Sequence, residues 1–297
     1  MRVRRCTADD DPMQRSDFRF LERLRVRWAE IDAQQIVFNG HYLMYFDTAV
    51  AGYWRALAMP YAATMQSLGG DMFVRKATLE YLGSAVYDDV LDIGLRCARV
   101  GNSSMSFVAG AFRQDALLVS GELIYVFADP AAKLPLPVPP PLRALFESFE
   151  AGEPMVDVRV GRWRELEAAA RPIRAEVFIG EQKIPADMEW DDADADAVHA
   201  VAFNRLGRAL GTGRMLEHVP GVAKIGRMAV FASSRHAGVG RAVLDALVEA
   251  ARTRGDRQVI LHAQLGAAPF YERAGFVRRG PIFDEAGIAH VEMVRAL

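Results

Sequence analysis

Two stretches of this chain hold residue types suited to the chemistry of activated acyl groups. In the first, RWAEIDAQQIVFNGHYLMYFD at residues 27–47, Asp32 stands in a loop after an extended run and ahead of a helix that starts near Asn39. Amides at a helix N-terminus lack intrahelical acceptors and sit at the positive end of the helix dipole. They can polarise a thioester carbonyl and stabilise its oxyanion while a carboxylate attacks or activates water. By residue type alone, an aspartate in this position is more often an N-cap or turn residue. In the second, MAVFASSRHAGVGRAVLDAL at residues 228–247, the run Arg235, His236, Ala237, Gly238, Val239, Gly240 and Arg241 joins a strand to an amphipathic helix. Glycines let the backbone turn tightly and aim successive amides outward, which makes a cradle for a pyrophosphate at a helix N-terminus. An R-x-x-G-x-G string on its own serves a tight turn as readily.

The elements that must position these residues are legible on either side of one break. Ahead of it, residues 18–28 read as extended, and Tyr42, Leu43, Phe46, Val50 and Trp54 recur at helical spacing within 39–57. Residues 72–82, 90–100, 105–112 and 117–128 read as strands separated by turn signals such as Gly83-Ser84 and Gly101-Asn102. One helix followed by consecutive hairpins implies an antiparallel sheet wrapped on a helix, an α+β arrangement. The break is LPLPVPPP at 134–141, whose prolines remove amide donors and favour extended geometry. A short helix at 142–150 and the linker Ala151-Gly152-Glu153-Pro154 put the boundary near residue 152. Residues 1–16 read as a flexible extension, 17–152 as a first domain and 153–297 as a second. In the second domain a strand at 156–160, helices at 163–178 and a hairpin of 197–205 with 208–216 come first. A strand at 223–231, a helix at 239–255, a strand at 258–263 and a helix at 267–274 follow, again α+β.

Composition bounds the partners. At 297 residues the chain suits two domains, each able to bury a core. A formal charge of −2 gives no general pull toward nucleic acid or anionic membrane. Cys6 and Cys97 are too few for a disulfide framework and show no metal-ligand spacing, so a reducing cytoplasm is the simplest setting and no metal is expected. The start MRVRRCTADDDP has no apolar stretch behind it to act as a signal sequence, and no run is long enough to span a bilayer.

The first stretch resembles the 4-hydroxybenzoyl-CoA thioesterase branch of the hotdog superfamily, together with VRKATLEYLGSAVYDDVLDI, GNSSMSFV and GELIYVFAD over about residues 18–150. The resemblance implies a hotdog fold that hydrolyses acyl-CoA, with Asp32 as catalytic carboxylate and the amide at Asn39 polarising the thioester. Gly40 and His41 stand beside it, His41 as a second polar contact or as a packing residue. Many relatives have glycine where this chain has Gln35, so the path of the loop is less defined by the resemblance than its chemistry. Asp47 is a further acidic candidate, although its position also suits a helix-surface or packing residue. The family implies dimers whose sites combine both protomers.

The second stretch resembles the acetyl-CoA-binding motif of GNAT acetyltransferases, with FYERAGF at 270–276 resembling the superfamily's next motif. AEVFIGEQ at 175–182 and IFDEAGIAHVEM at 282–293 are similar to the ElaA-like branch. This implies direct attack of an amine on acetyl-CoA, with the amides of residues 235–240 on the pyrophosphate. Met228, Ala229 and Val230 would pair with the pantetheine arm, and Tyr271 would protonate the departing thiolate, as a phenol that keeps its proton at neutral pH suits. Glu181, Asp191, Asp192, Glu285 and His290 offer a base and together suggest a cationic amine. The expected whole is a bifunctional cytoplasmic homo-oligomer acting on small-molecule acyl-CoA and amine substrates, its first domain preferring longer or aromatic acyl groups. The alternative is a chain in which one domain is silent and serves as an acyl-CoA sensor or an oligomerisation module.

Overall fold

The computed structural model describes residues 13–297. Cys6 and residues 1–12 of the expected extension lie outside the described residues. Arg15 begins a 3-10 turn, Arg15–Asp17, and its guanidinium lies 2.8 Å from Asp92. The chain divides into two compact units between Glu153 and Pro154.

The first unit contains β1 (Phe20–Arg25), α1 (Asn39–Ala56), α2 (Tyr61–Leu68), β2 (Asp71–Tyr81), β3 (Val90–Val100), β4 (Ser104–Arg113), β5 (Ala116–Ala128) and α3 (Pro140–Glu150). Its antiparallel sheet runs β1-β3-β4-β5-β2. Helix α1 buries Tyr42, Tyr45, Phe46, Ala49, Tyr53 and Trp54, spaced by three and four residues as a one-sided helix requires. The sheet makes room for it at Gly121, where a Cβ would come within 2.6 Å of the Phe46 ring. Helix α3 opens on prolines, which suit a first helical turn, and closes the core with Leu142, Leu145, Phe146 and Phe149. This helix-wrapped sheet is the hotdog arrangement. Helix α2 is absent from the sequence reading, since YAATMQSL carries little apolar periodicity.

The second unit contains β6 (Val156–Arg162), α4 (Trp163–Arg174), α5 (Ala186–Glu189), α6 (Ala193–Asp196), β7 (Val198–Asn204), β8 (Ala209–Val219) and β9 (Val222–Val230). It continues through α7 (Val239–Arg254), β10 (Gln258–Gln264), α8 (Ala268–Arg273), β11 (Val277–Glu285) and β12 (Ile288–Ala296). The sheet order is β11-β12-β10-β9-β8-β7-β6, antiparallel except between β9 and β10. Alternation along β8 divides its two faces. Gly213 lies under Val243 and Leu247 of α7, whereas Arg214 on the opposite face reaches Arg174's acidic partner Asp194. Leu166, Ala170 and Ile173 of α4 pack there with Val201, Phe203 and Ala229. Helix α4 runs on as a π-helical segment, Ala175–Glu181, where the sequence reads as ordinary helix to 178.

Candidate functional site

In the first unit, residues 30–38 form a tight hairpin. The Phe38 amide donates to Glu30 O (2.9 Å), Ile31 bridges Val37, and the Asp32 amide donates to Ile36 O (2.9 Å). Gln35 closes the turn at φ 63°, the left-handed conformation that glycine adopts without strain. Asp32 thus lies two residue pairs, roughly 7 Å, from the start of α1. One of its carboxylate oxygens accepts the Gln34 amide (2.8 Å). The helix N-cap is Phe38, which offers no side-chain acceptor. The Asn39 and Gly40 amides have no acceptor among the described residues, and His41 is the first of these to donate, to Phe38 O (2.9 Å). A Cβ at Gly40 would come within 2.9 Å of the half-exposed Phe38 ring, so a larger residue there would push that ring aside. His41 Nδ1 is buried without a hydrogen-bond partner. Asp47 is exposed on the helix surface.

The hairpin is anchored by a residue that the sequence reading does not single out. Glu30 is buried and accepts from the Arg27 amide, the Arg27 guanidinium and the Tyr45 hydroxyl, each at 2.7 Å. Burial pushes its carboxyl up, but those three donors outweigh it and hold the group below the usual carboxylate range. Edge strand β2 exposes Phe73, Val74 and Tyr81 among charged residues such as Arg75, Lys76 and Glu80, and α1 exposes Leu43 and Met44. The Tyr81 hydroxyl donates to Asn39 O (3.1 Å), so this edge runs up to the start of the helix.

In the second unit, the parallel pairing of β9 with β10 stops at Ile225 opposite Leu261. Both strands continue, so residues 226–230 and 262–264 part as a fork with peptide groups unpaired between them. A register shift against β8 between Thr212 and Arg214 makes a bulge in β9 at Arg227 and Met228, with Arg227 at φ 52°. The fork opens into a cavity of about 840 Å³, lined by Met228, Ala229, Val230, Arg235 and Tyr271 among others. Past it, His236 and Gly238 take φ of 67° and 77°. The amides of residues 236–241 find no acceptor among the described residues, and Ala242 is the first to donate, to Gly238 O (3.0 Å). The Ser234 hydroxyl beside this row is buried and unpartnered. Gly240 has only Val230 and Phe270 near it, no closer than 3.6 Å. An open row of amides, an orphaned hydroxyl and an unpaired strand edge fit the diphosphate and amide-bearing arm of a CoA thioester. Tyr271, buried against Phe270 and Phe276, has its hydroxyl pushed up to about 12 by burial.

Four of the five residues expected on the acceptor side, Glu181, Asp191, Glu285 and His290, line the cavity. Asp192 is exposed ahead of α6 and is not part of the wall. The carboxylates are all engaged. Glu181 forms a two-pronged ion pair with Arg235 (2.8 and 2.5 Å), and the hydrogen bond from that guanidinium holds its carboxyl low. Asp191 is held low by Arg214, at 2.5 and 3.0 Å. Behind it, Arg174 binds Glu189 and Asp194 in a fully buried cluster, and Arg227 reaches Glu189 at 3.0 Å. His290 Nδ1 contacts Ile288 O at 2.8 Å.

Two further cavity residues are absent from the sequence reading. His262, one residue into the fork on β10, sets its Nδ1 3.0 Å from Glu285 Oε2 with its ring edge-on to Phe283. A carboxylate accepts only, so the Nδ1 proton faces Glu285 and the Nε2 lone pair is left for the cavity. Lys224, on β9 before the fork, is the other. Neither has a sequence motif; both are recognised by the strand register alone.

Comparison with known proteins agrees with this division. Residues 34–120 match the Thioesterase superfamily model, and residues 168–297 match that of the Acetyltransferase (GNAT) domain. The Bacillus subtilis (strain 168) "Uncharacterized N-acetyltransferase YjcF" is 37% identical over 124 residues, 41% of this chain and 87% of that protein. Escherichia coli (strain K12) "Protein ElaA" is 30% identical over 130 residues, 41% of this chain and 82% of its own length. A "Putative esterase" of Aquifex aeolicus (strain VF5) is 31% identical over 96 residues, 32% of this chain and 74% of that one. Among the described residues no helix is long and apolar enough to cross a membrane, and no cluster of three or more histidine, cysteine or acidic side chains could hold a metal ion. The chain belongs to two families in succession, the hotdog thioesterases through its first unit and the GNAT acetyltransferases through its second.

Proposed function

We propose that the chain is a bifunctional CoA-thioester enzyme, hydrolysing acyl-CoA in its first unit and transferring acetyl from acetyl-CoA to an amine in its second. The observation that carries this reading is that each unit leaves a row of backbone amides open near a group able to handle protons: Asn39 and Gly40 at the helix start, two residue pairs along the hairpin from Asp32, and residues 236–241 past the fork with Tyr271 and His262. In the first unit the Asn39 amide polarises the thioester carbonyl. Asp32 either activates the water that attacks that carbon or attacks it to form a mixed anhydride that water then hydrolyses; the C–S bond breaks, the departing thiolate takes a proton from water, and free acid and CoA thiol leave. Longer or aromatic acyl groups are the expected substrates. The exposed edge β2 supports a homo-oligomer, because an eleven-residue edge carrying Phe73, Val74 and Tyr81 is a ready template for a second copy. The cytoplasm is the expected location.

In the second unit the amides of residues 236–241 hold the pyrophosphate and the unpaired edge of β9 holds the pantetheine arm. His262, oriented by Glu285, takes a proton from the acceptor ammonium. The freed nitrogen attacks the thioester carbon, the C–S bond breaks, Tyr271 gives its proton to the leaving sulfur, and the surplus proton on the new amide nitrogen returns to the Tyr271 oxygen through water. A phenol pushed up to about 12 is still protonated at neutral pH and supplies that proton.

The test follows CoA thiol release from a panel of acyl-CoAs, with and without amines, in the parent chain, Asp32→Asn, His262→Gln and Tyr271→Phe. Asp32→Asn is expected to lower amine-independent release by about a hundredfold or more and leave amine-dependent release intact; the other two do the reverse. Release from no thioester by the parent chain makes the first unit an acyl-CoA-binding or oligomerisation module.

A further inference from the structure

We infer that the acetyl acceptor is an amine that also carries an anionic group, carboxylate or phosphate, and that Lys224 receives it. The inference rests on the acetyltransferase reading of the second unit and reverses the cationic acceptor that the acidic side chains suggest in sequence. Each carboxylate of the cavity wall already has a partner: Glu181 is paired with Arg235, Glu189 and Asp191 with arginines 174, 214 and 227, and Glu285 is engaged by a hydrogen bond from His262. Those arginines are spent in the same pairings. Lys224 is the one lysine or arginine of the wall with no carboxylate partner among the described residues. An unmatched ammonium on the wall of a half-open cavity attracts an anion and repels a second cation.

Its place in the sheet sets the acceptor's length. Lys224 pairs with Leu216 on one side and Ile260 on the other, and points to the same face as Gly226 and Arg214, where the cavity lies. The bulge at Arg227 and Met228, where the fork exposes β9, is three to four residues further on, roughly 10–13 Å along the strand. An amine at the bulge and an anion at Lys224 therefore belong on one molecule with a spacer between them. A short α-amino acid, whose amine and carboxylate share one carbon, does not bridge it.

The test supplies the full chain with acetyl-CoA and three matched series of increasing chain length: ω-amino carboxylates, their neutral ω-amino amides, and diamines. Aminoalkyl phosphates form a second arm that tells a carboxylate site from a phosphate site. Acetylated product is quantified by mass spectrometry. The expected result is a kcat/KM for one anionic series about tenfold or more above its neutral partner, rising with spacer length. Lys224→Gln is expected to erase that preference through a raised KM for the anionic series, with hydrogen exchange in β9 and β10 reporting that the variant is folded. Equal or better use of amides or diamines, or an unchanged preference in Lys224→Gln, overturns the anionic acceptor and leaves acetyl transfer standing. Transfer to no amine overturns both.

Discussion

Gln35 holds φ at 63° in the turn behind Asp32, a conformation that costs a side-chain-bearing residue about 1–2 kcal/mol and glycine almost nothing. Glycine in turn loses roughly 0.5–1 kcal/mol more entropy on folding. Gln35→Gly is therefore expected to raise the stability of the first unit by up to about 1 kcal/mol and leave thioester hydrolysis unchanged, whereas a β-branched Gln35→Ile lowers both. Hydrogen exchange in β3 and β4 of the full chain, read beside the hydrolysis rate, checks this. At this scale the glycine-rich turn and Asp32 are legible because few residue types perform their tasks. Glu30, His262 and Lys224 are not. A glutamate, a histidine and a lysine have many uses, and theirs arise from partners up to 23 residues away, or from the lack of one.

Strand and helix positions follow the hydrophobic periods closely, as with Val90–Val100 and Asn39–Ala56. The π-helical stretch and the bulge at Arg227 do not, since each adds a residue that leaves the pattern of apolar side chains nearly unaltered. The fork is likewise a matter of where pairing stops, which no single strand's sequence records. Between α4, α5, α6 and β8, the ion cluster around Arg174 has a pH signature. Burial holds His199 below its ordinary range, so it stays neutral when folded and takes a proton when unfolded. Stability then falls as pH drops through the ordinary histidine range. Asp194 is pushed up by burial but brought lower overall by the hydrogen bonds from Arg174 and Arg214, so its contribution is complete above the ordinary aspartate range and is lost as pH falls through its depressed value. The second unit should lose stability on acidification in two stages. His199→Gln is expected to remove the earlier stage only, and Asp194→Asn to cost about 3–5 kcal/mol at neutral pH by leaving two buried guanidinium groups underpaired. Denaturant midpoints across pH, resolved by exchange in β7, test both.

At the scale of the molecule, each unit is built from one uninterrupted stretch and holds its own margin at the boundary. Arg19 donates to Phe149 O and Glu153 O on one side, and Arg205 to Pro154 O on the other. Residues 1–153 and 154–297, made separately, are expected to fold and to keep hydrolysis and amine acetylation respectively; loss of either activity on separation would show that one unit depends on the other. The proline run and the two changes of pattern make this division legible, while the sheet orders are not, because they depend on which distant strands meet. One such order has a consequence in time. The first unit needs nothing beyond α3, so it can complete itself while later residues are still being joined. The second places its last strand, Ile288–Ala296, between β11 and β10 in the interior of the sheet. Until those nine residues emerge, β10 has no neighbour on that side and β11 none at all. A ribosome stalled before residue 288 would therefore carry a finished thioesterase fold and an acetyltransferase sheet still open between β10 and β11.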